Sequence, residues 1–239
     1  MSRVRELYRG LPLGRHHDNG NLPAKGVKVV DSLDQVLPQG EVVIEFTHPE
    51  PSLAHLKQVA DAGKAMVLGT TGFAPPQIAE IHALASRAHL VFAPNMSVGV
   101  NLMFKVVADI ARVLGDGYDV EIVEAHHRLK KDAPSGTAIK LGQVIAHALG
   151  RELEKAGVYA RHGIIGQRTD QEIGIQTVRA GDIVGEHTVL FGGMGERIEI
   201  KHQAQSRDNF AFGALRAARW VVGKPPGLYD MHDVLGLRK

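Results

Sequence analysis

Between residues 41 and 93, short apolar runs alternate with helix-like segments, and the links between them are only a few residues long. Residues 41–47 (EVVIEFT) read as a buried strand. Residues 51–62 space Leu53, Leu56 and Val59 as a helix would, and Gly63 ends the run. Next come a strand over 65–68 (AMVL), a turn over 69–72 (GTTG), a helix over 75–88 and a strand over 90–93 (LVFA). The helix opens on two prolines, whose fixed φ suits a first turn. Strands and helices alternating over such short connections call for a parallel sheet with helices packed on it.

After Pro94 the rhythm changes. Residues 98–114 read as a long helix, 118–125 as a strand and 137–149 as a helix. Three strand-like stretches follow at 173–179, 186–191 and 197–202, joined by glycine-rich turns, and residues 209–222 close as a helix. Strands next to strands predict a second domain built on a mixed or mainly antiparallel sheet. The expected division is therefore 1–96 with 208–239 against 97–207. Ahead of all this, residues 9–26 are rich in Arg, Gly, His and Asn without an apolar period and read as a loop, and 27–30 form a short apolar run.

Composition excludes several chemistries. The 239 residues contain no cysteine, which removes disulfides, a thiolate nucleophile and a zinc ribbon. A net charge of +2 offers no field for nucleic acid. No apolar run approaches the roughly 18 residues of a membrane helix, and residues 1–10 lack the apolar centre of a signal peptide. The expectation is a cytoplasmic protein with no nucleic-acid or membrane partner. A His-Glu-x-x-His motif, a Walker lysine loop and a Gly-x-Ser-x-Gly elbow are all missing, and His16 and His17 read as solvated loop residues, so no metal is expected.

The densest polar segment is EAHHRLKKDAPSGT, residues 124–137, between a strand and a helix. His126 and His127 titrate near neutrality, and Lys130 and Lys131 can donate protons or pair with a carboxylate. Ser135, Gly136 and Thr137 open the helix, where free N–H groups and the dipole favour an anion. Two readings stand: a solvated charged loop with a serine cap, or an acid–base site beside an anion-binding helix start. A dinucleotide fold normally carries a glycine-rich loop after its first strand, and none is found. Residues 192–195 (GGMG) lie between two strands and read as a hairpin turn, and 69–72 are too short for the fingerprint.

Taken together, these segments resemble the dihydrodipicolinate reductase family. The resemblance rests on EAHHRLKKDAPSGTA (124–138), EFT (45–47), VLGTTGF (67–73), APNMSVGVN (93–101) and VRAGDIVGEHT (178–188), in family order. It implies reduction of a cyclic dicarboxylate imine by NADPH or NADH, in the diaminopimelate route to lysine, by a homotetramer. His126 and Lys130 would then be the acid–base pair, His127 a substrate contact, and Gly136 and Thr137 the holders of a carboxylate. Gly69, Thr70 and Thr71 would line the nicotinamide, with Ala93, Pro94, Asn95 and Met96 beside them, Thr47 near the pyrophosphate, and Arg207 a further cofactor contact. His48 would replace a basic cofactor residue, and Leu129 a polar one.

The implied fold is a Rossmann-like parallel sheet lacking its first β-α-β part, with an α+β second domain. Roughly 30 residues, about one strand–helix unit, are missing relative to that pattern. Arg3-Val-Arg-Glu6 is a possible remnant. A misassigned start, a fragment and a diverged homologue remain open as explanations. The last would be a non-catalytic protein that still binds the dicarboxylate or a partner.

Overall fold

The structure, a computed structural model, describes residues 30–238, so the expectations for 3–6, 9–26, 16–17 and most of 27–30 lie outside the described residues. The described chain forms two compact units. One ends at Met96 and resumes at Ala211; the other runs from Ser97 to Phe210.

In the first unit β1 (Val42–Glu45), β2 (Ala65–Leu68), β3 (His89–Phe92) and β9 (Gly227–Tyr229) form an all-parallel sheet in that order. The strands of β1 and β2 are buried at every residue, as befits a sheet covered on both faces. On one face lie α1 (Pro49–Asp61) and α2 (Pro75–Leu84), whose Leu53, Leu56, Val59, Ile81 and Leu84 pack on Val43, Met66, Leu68 and Leu90. On the other, α6 (Asp208–Val221) and α7 (Met231–Leu235) bring Ala214, Ala217, Ala218, Val221 and Met231 against Val42, Ile44, Val67 and Val91.

Some boundaries differ from the sequence reading. The first strand stops at Glu45, because Thr47 bends back to bond its carboxylate. The helix after it starts at Pro49 rather than 51, since proline at the first helical position needs no N–H acceptor. The helix at 75 ends at Leu84 and tightens into a 3-10 turn over Ala85–Arg87. Strand β9 and helix α7, beyond the predicted closing helix, are short additions with too few residues to show a period. Gly213 sits where α6 crosses the backbone of Met96, and a Cβ there would overlap the Met96 carbonyl.

In the second unit β5 (Gly157–Val158), β6 (Ile173–Arg179), β4 (Asp119–His126), β7 (Gly185–Gly192) and β8 (Arg197–Ala204) form a mixed sheet in that order. β4–β7–β8 are antiparallel, whereas β4–β6 and β5–β6 are parallel. β4 and β6 are separated in the chain by α4 (Gly136–Ala148) and α5 (Leu153–Ala156), a crossover long enough for parallel pairing. GGMG at 192–195 is the hairpin turn between β7 and β8, with Gly193 N–H donating to Glu196 O. α3 (Val98–Leu114) and α4 pack on one face of this sheet.

That face has a simple order. Its first two cross-strand rows, Ile173–Val120–Phe191 and Ile175–Ile122–Val189, are fully buried and apolar. The third row is Thr177–Glu124–His187–His202, and in the fourth Arg179 stands opposite His126. Strand alternation keeps all of these on one face, so the core becomes polar at the carboxyl end of β4.

Candidate active site

Glu124 is the centre of the polar end. It is fully buried. His126 Nδ1–H donates to Oε2 at 2.6 Å, the Ser135 N–H to Oε1 at 2.9 Å, and Thr177 Oγ1 to Oε1 at 3.3 Å. Arg179 adds a bidentate pair, Nη1 to Oε2 at 2.8 Å and Nη2 to Oε1 at 2.9 Å. Burial alone would push this carboxyl up, but Arg179, His126 and the Ser135 amide outweigh it and hold it at about 2. Glu124 is therefore a carboxylate at any working pH.

With its Nδ1 proton on Glu124, His126 carries a free valence at Nε2. That atom stands over Gly185, where a Cβ would approach it to 3.0 Å. Burial pulls His126 below the usual histidine range; Glu124 opposes the fall, and Lys130 and Arg179 add to it. His187 packs edge-on against the His126 ring, centroids 5.2 Å apart. Its Nε2 lies 3.0 Å from Ser135 Oγ, the same hydroxyl that accepts from the Ala138 N–H to cap α4. Burial first, and then neighbouring His126, push His187 down to about 3. It is neutral.

This histidine makes the unit acid-sensitive. Its native pKa lies below the unfolded value of about 6.5, so acidification favours the unfolded chain. Above pH ~6.5 both states are neutral and nothing is lost. Below it each pH unit costs about 1.4 kcal/mol until His187 itself titrates. Urea midpoints between pH 7.5 and 4 should hold down to pH ~6.5 as far as His187 sets them, then fall for the native chain and fall less steeply for His187→Gln. Equal slopes would refute the assignment.

The loop from β4 to α4 carries the other predicted residues. Half-buried His127 accepts the Lys130 N–H through its carbonyl, and Lys130 Nζ pairs with Asp132 Oδ1 at 2.9 Å. The loop is pinned to the sheet by Ala180 N–H to His126 O, Arg128 N–H to Gly181 O and Arg179 Nη2 to Asp132 O. Leu129 is exposed at its tip. Ser135 caps α4, Gly136 is its exposed first residue, and Thr137 follows, half-buried. His126, Lys130, His127, Gly136 and Thr137 thus lie on one strand end, one loop and one helix start.

Apart from Arg207, which belongs to the second unit, the predicted cofactor residues fall at the carboxyl ends of β1, β2 and β3 in the first unit. Glu45 is buried there, its oxygens taken by the Thr47 N–H, Thr47 Oγ1 and His55 Nδ1 at 2.9, 2.5 and 2.6 Å. Burial raises Glu45, and His55 and Thr47 more than reverse the rise. Thr70 is buried with its hydroxyl 2.7 Å from Ser52 Oγ, so its side chain serves the fold. Gly69 lies under the Phe46 ring, which any Cβ would strike. Thr71 and Pro94 are exposed, Asn95 is half-buried, Ala93 and Met96 are core residues, His48 precedes α1, and Arg207 is exposed just before α6. The chemistry of these ends fits an anionic dinucleotide: residues 69–74 and 93–97 include no carboxylate to repel its phosphates, and Glu45 is satisfied inwardly.

Sequence reasoning assigned no role to Glu124, Arg179 or His187. The i, i+2 spacing of Glu124 and His126 on a strand does place them on one face, and that signal was readable.

Fold and site together define an α/β protein of two units, one an open parallel sheet with polar strand ends, the other a mixed sheet whose polar end gathers histidine, carboxylate, arginine and lysine side chains beside a serine-capped helix. Residues 13–96 match the N-terminal family of dihydrodipicolinate reductase and residues 99–235 the C-terminal one. The chain belongs to the dihydrodipicolinate reductase family. It is 64% identical over 213 residues to the 4-hydroxy-tetrahydrodipicolinate reductase of Syntrophobacter fumaroxidans, covering 89% of this chain and 80% of the relative. To that of Syntrophus aciditrophicus it is 56% identical, covering 90% and 80%. Among solved structures it resembles a dipicolinate-bound dihydrodipicolinate reductase from Paenisporosarcina sp. TG-14, with a TM-score of 0.71, 25% identity, and 96% and 88% of the two chains covered. No described helix is long and apolar enough to cross a membrane.

Proposed function

We propose that this chain reduces 4-hydroxy-tetrahydrodipicolinate to tetrahydrodipicolinate with NADPH or NADH, in the diaminopimelate route to lysine. The observation that carries the reading is the joining of an oriented imidazole, a lysine and a capped helix start within one loop, on a chain whose relatives bear that name. Overall, the substrate's hydroxyl leaves as water, a hydride adds to a ring carbon of the conjugated imine, and a proton adds to the resulting enamine. A bound nicotinamide supplies the hydride. The proton comes from the His126 and Lys130 site. A dianionic substrate draws Lys130 from Asp132 and favours protonated His126, offsetting the depression seen without it.

Gly136 and Thr137 hold one carboxylate at the α4 N-terminus. Support comes from Gly136 itself: nothing lies within 4 Å of where its Cβ would be, and its φ is not in the left-handed range. Neither packing nor conformation of the protein asks for glycine there, whereas close approach of a ligand does. His127 adds a substrate contact. On the cofactor side, residues 69–71 and 93–96 face the nicotinamide chiefly through backbone, since Thr70 and Met96 use their side chains in the fold. Thr47 is the contact toward the pyrophosphate, and Arg207 is a further cofactor contact. We place the enzyme in the cytoplasm as a homotetramer, the exposed Val123 and Val178 of the second sheet supporting an interface there. Nothing in the site favours a non-catalytic homologue.

The test is calorimetric titration of the 239-residue chain with NADPH and NADH beside dipicolinate, followed by turnover. Micromolar cofactor binding with oxidation of cofactor by the substrate is expected; cofactor left unoxidised with substrate present would sink the reading. Thr137→Val should raise KM several-fold and leave kcat nearly unchanged, as loss of a ground-state contact does. A fall in kcat alone would contradict the carboxylate contact.

A further inference from the structure

The ion pair of buried Glu124 with half-buried Arg179 lies behind the proposed site rather than in it, and its contacts are distributed in a telling way. Besides Thr177, the Glu124 oxygens meet the ring of His126 and the amide of Ser135, which opens α4. Arg179, besides meeting Glu124, donates to the Asp132 carbonyl in the loop that bears Lys130. One ion pair therefore touches all three pieces of the site: imidazole, lysine loop and helix start.

Stability is a poor reason for such a pair. Taking the Glu124 carboxylate wholly out of water, and the Arg179 guanidinium partly, offsets much of what their attraction returns, and apolar residues of similar volume often do as well. The two rows below it, Ile122–Ile175–Val189 among them, show that this face packs well without charge. What an apolar pair would lack is direction. A carboxylate can only accept, so the imidazole that meets it must carry its proton on Nδ1.

We propose that Glu124 and Arg179 are the positioning residues of the proton-transfer site: Glu124 fixes the His126 ring in the Nδ1–H tautomer with Nε2 as the atom that exchanges protons, and Arg179 fixes Glu124 and the Lys130 loop to one another. This rests on the reductase reading for its consequence in turnover, although the tautomer itself does not. Gly185 completes the arrangement by leaving Nε2 uncovered. The groups facing His126 are Glu124 from its own strand, Arg179 from β6, His187 from β7, and Lys130, itself paired with Asp132, from the loop. His187 is neutral, so Glu124 is the anion that favours the protonated ring, and the two cations oppose it.

The experiment is nitrogen-15 NMR of the histidine rings in the full chain from pH 5.5 to 9, with His126 assigned by substitution, alongside kinetics of Glu124→Gln. His126 of the native chain is expected as the Nδ1–H tautomer when neutral. In Glu124→Gln the amide can donate to Nδ1, so the proton moves to Nε2 and the ring's proton affinity falls about tenfold, one pH unit. Turnover should fall at least about 30-fold, with KM changed less than about threefold, and the alkaline limb of kcat should move to lower pH. A purely structural role would leave tautomer and pH profile alone. Nε2–H in the native chain, or an unchanged tautomer in Glu124→Gln, overturns the proposal. Should Glu124→Gln not fold, the native tautomer decides, together with Arg179→Lys, which keeps the charge but loses the fork and is expected to lower kcat about tenfold. The native tautomer with no reduction of the dicarboxylate would leave the positioning standing and remove the reductase reading.

Discussion

Replacing His126 or Lys130 by alanine should lower kcat by roughly 100-fold or more, the usual effect of losing a general acid–base group. Each loss has its own physical cause. Without His126 the site has no oriented group with Nε2 open, and Glu124 keeps a charge with one fewer donor. Without Lys130 the loop loses the cation assigned to proton transfer, and Asp132 loses its lysine partner. Because the two act on one proton, the double variant should be scarcely worse than either alone. Steady-state rates of cofactor oxidation with saturating substrate measure this. Native turnover in either single variant would remove it from the mechanism.

The second large effect concerns stability. Gly213→Ala places a methyl on the Met96 carbonyl oxygen, a backbone atom that cannot rotate aside. α6 must then lift from β1, β2 and β3, whose Val42, Ile44, Val67 and Val91 it covers together with α7. Overpacking of this kind costs about 3 kcal/mol. Urea denaturation followed by the fluorescence of Trp220, on the same helix, would read it directly. Gly117→Ala is the control, since a Cβ there meets nothing within 4 Å and its φ is not in the left-handed range, so it should change stability by less than about 0.5 kcal/mol. Similar losses in both variants would mean that backbone freedom, not the crossing, sets the cost.

The local chemistry of this protein was readable from sequence because it follows short periods. Alternation of buried runs and helices announced the parallel sheet, and the prolines at 75 and 76 marked a helix start correctly. The polar segment at 124–137 stood out as a strand end followed by a capped helix, which is how Ser135 behaves. Short elements were harder. β5, β9 and α5 have between two and four residues each, below what a period can reveal. The same limit moved the start of α1 by two residues, from 51 to 49.

What the amino-acid sequence determined by itself was which residues share a strand face or open a helix, since those relations span a few positions and depend on backbone geometry alone. Only the tertiary structure decided what Glu124 would meet. Arg179 lies 55 positions away, Thr177 53, and the Ser135–His187 contact spans 52. Such contacts exist because β4 pairs with β6 on one side and β7 on the other, in a register set by how whole apolar rows are buried together. A single strand carries no record of its neighbour's register. Hence His126 was legible as a candidate proton carrier, while the carboxylate and guanidinium behind it became meaningful only once the sheet had assembled.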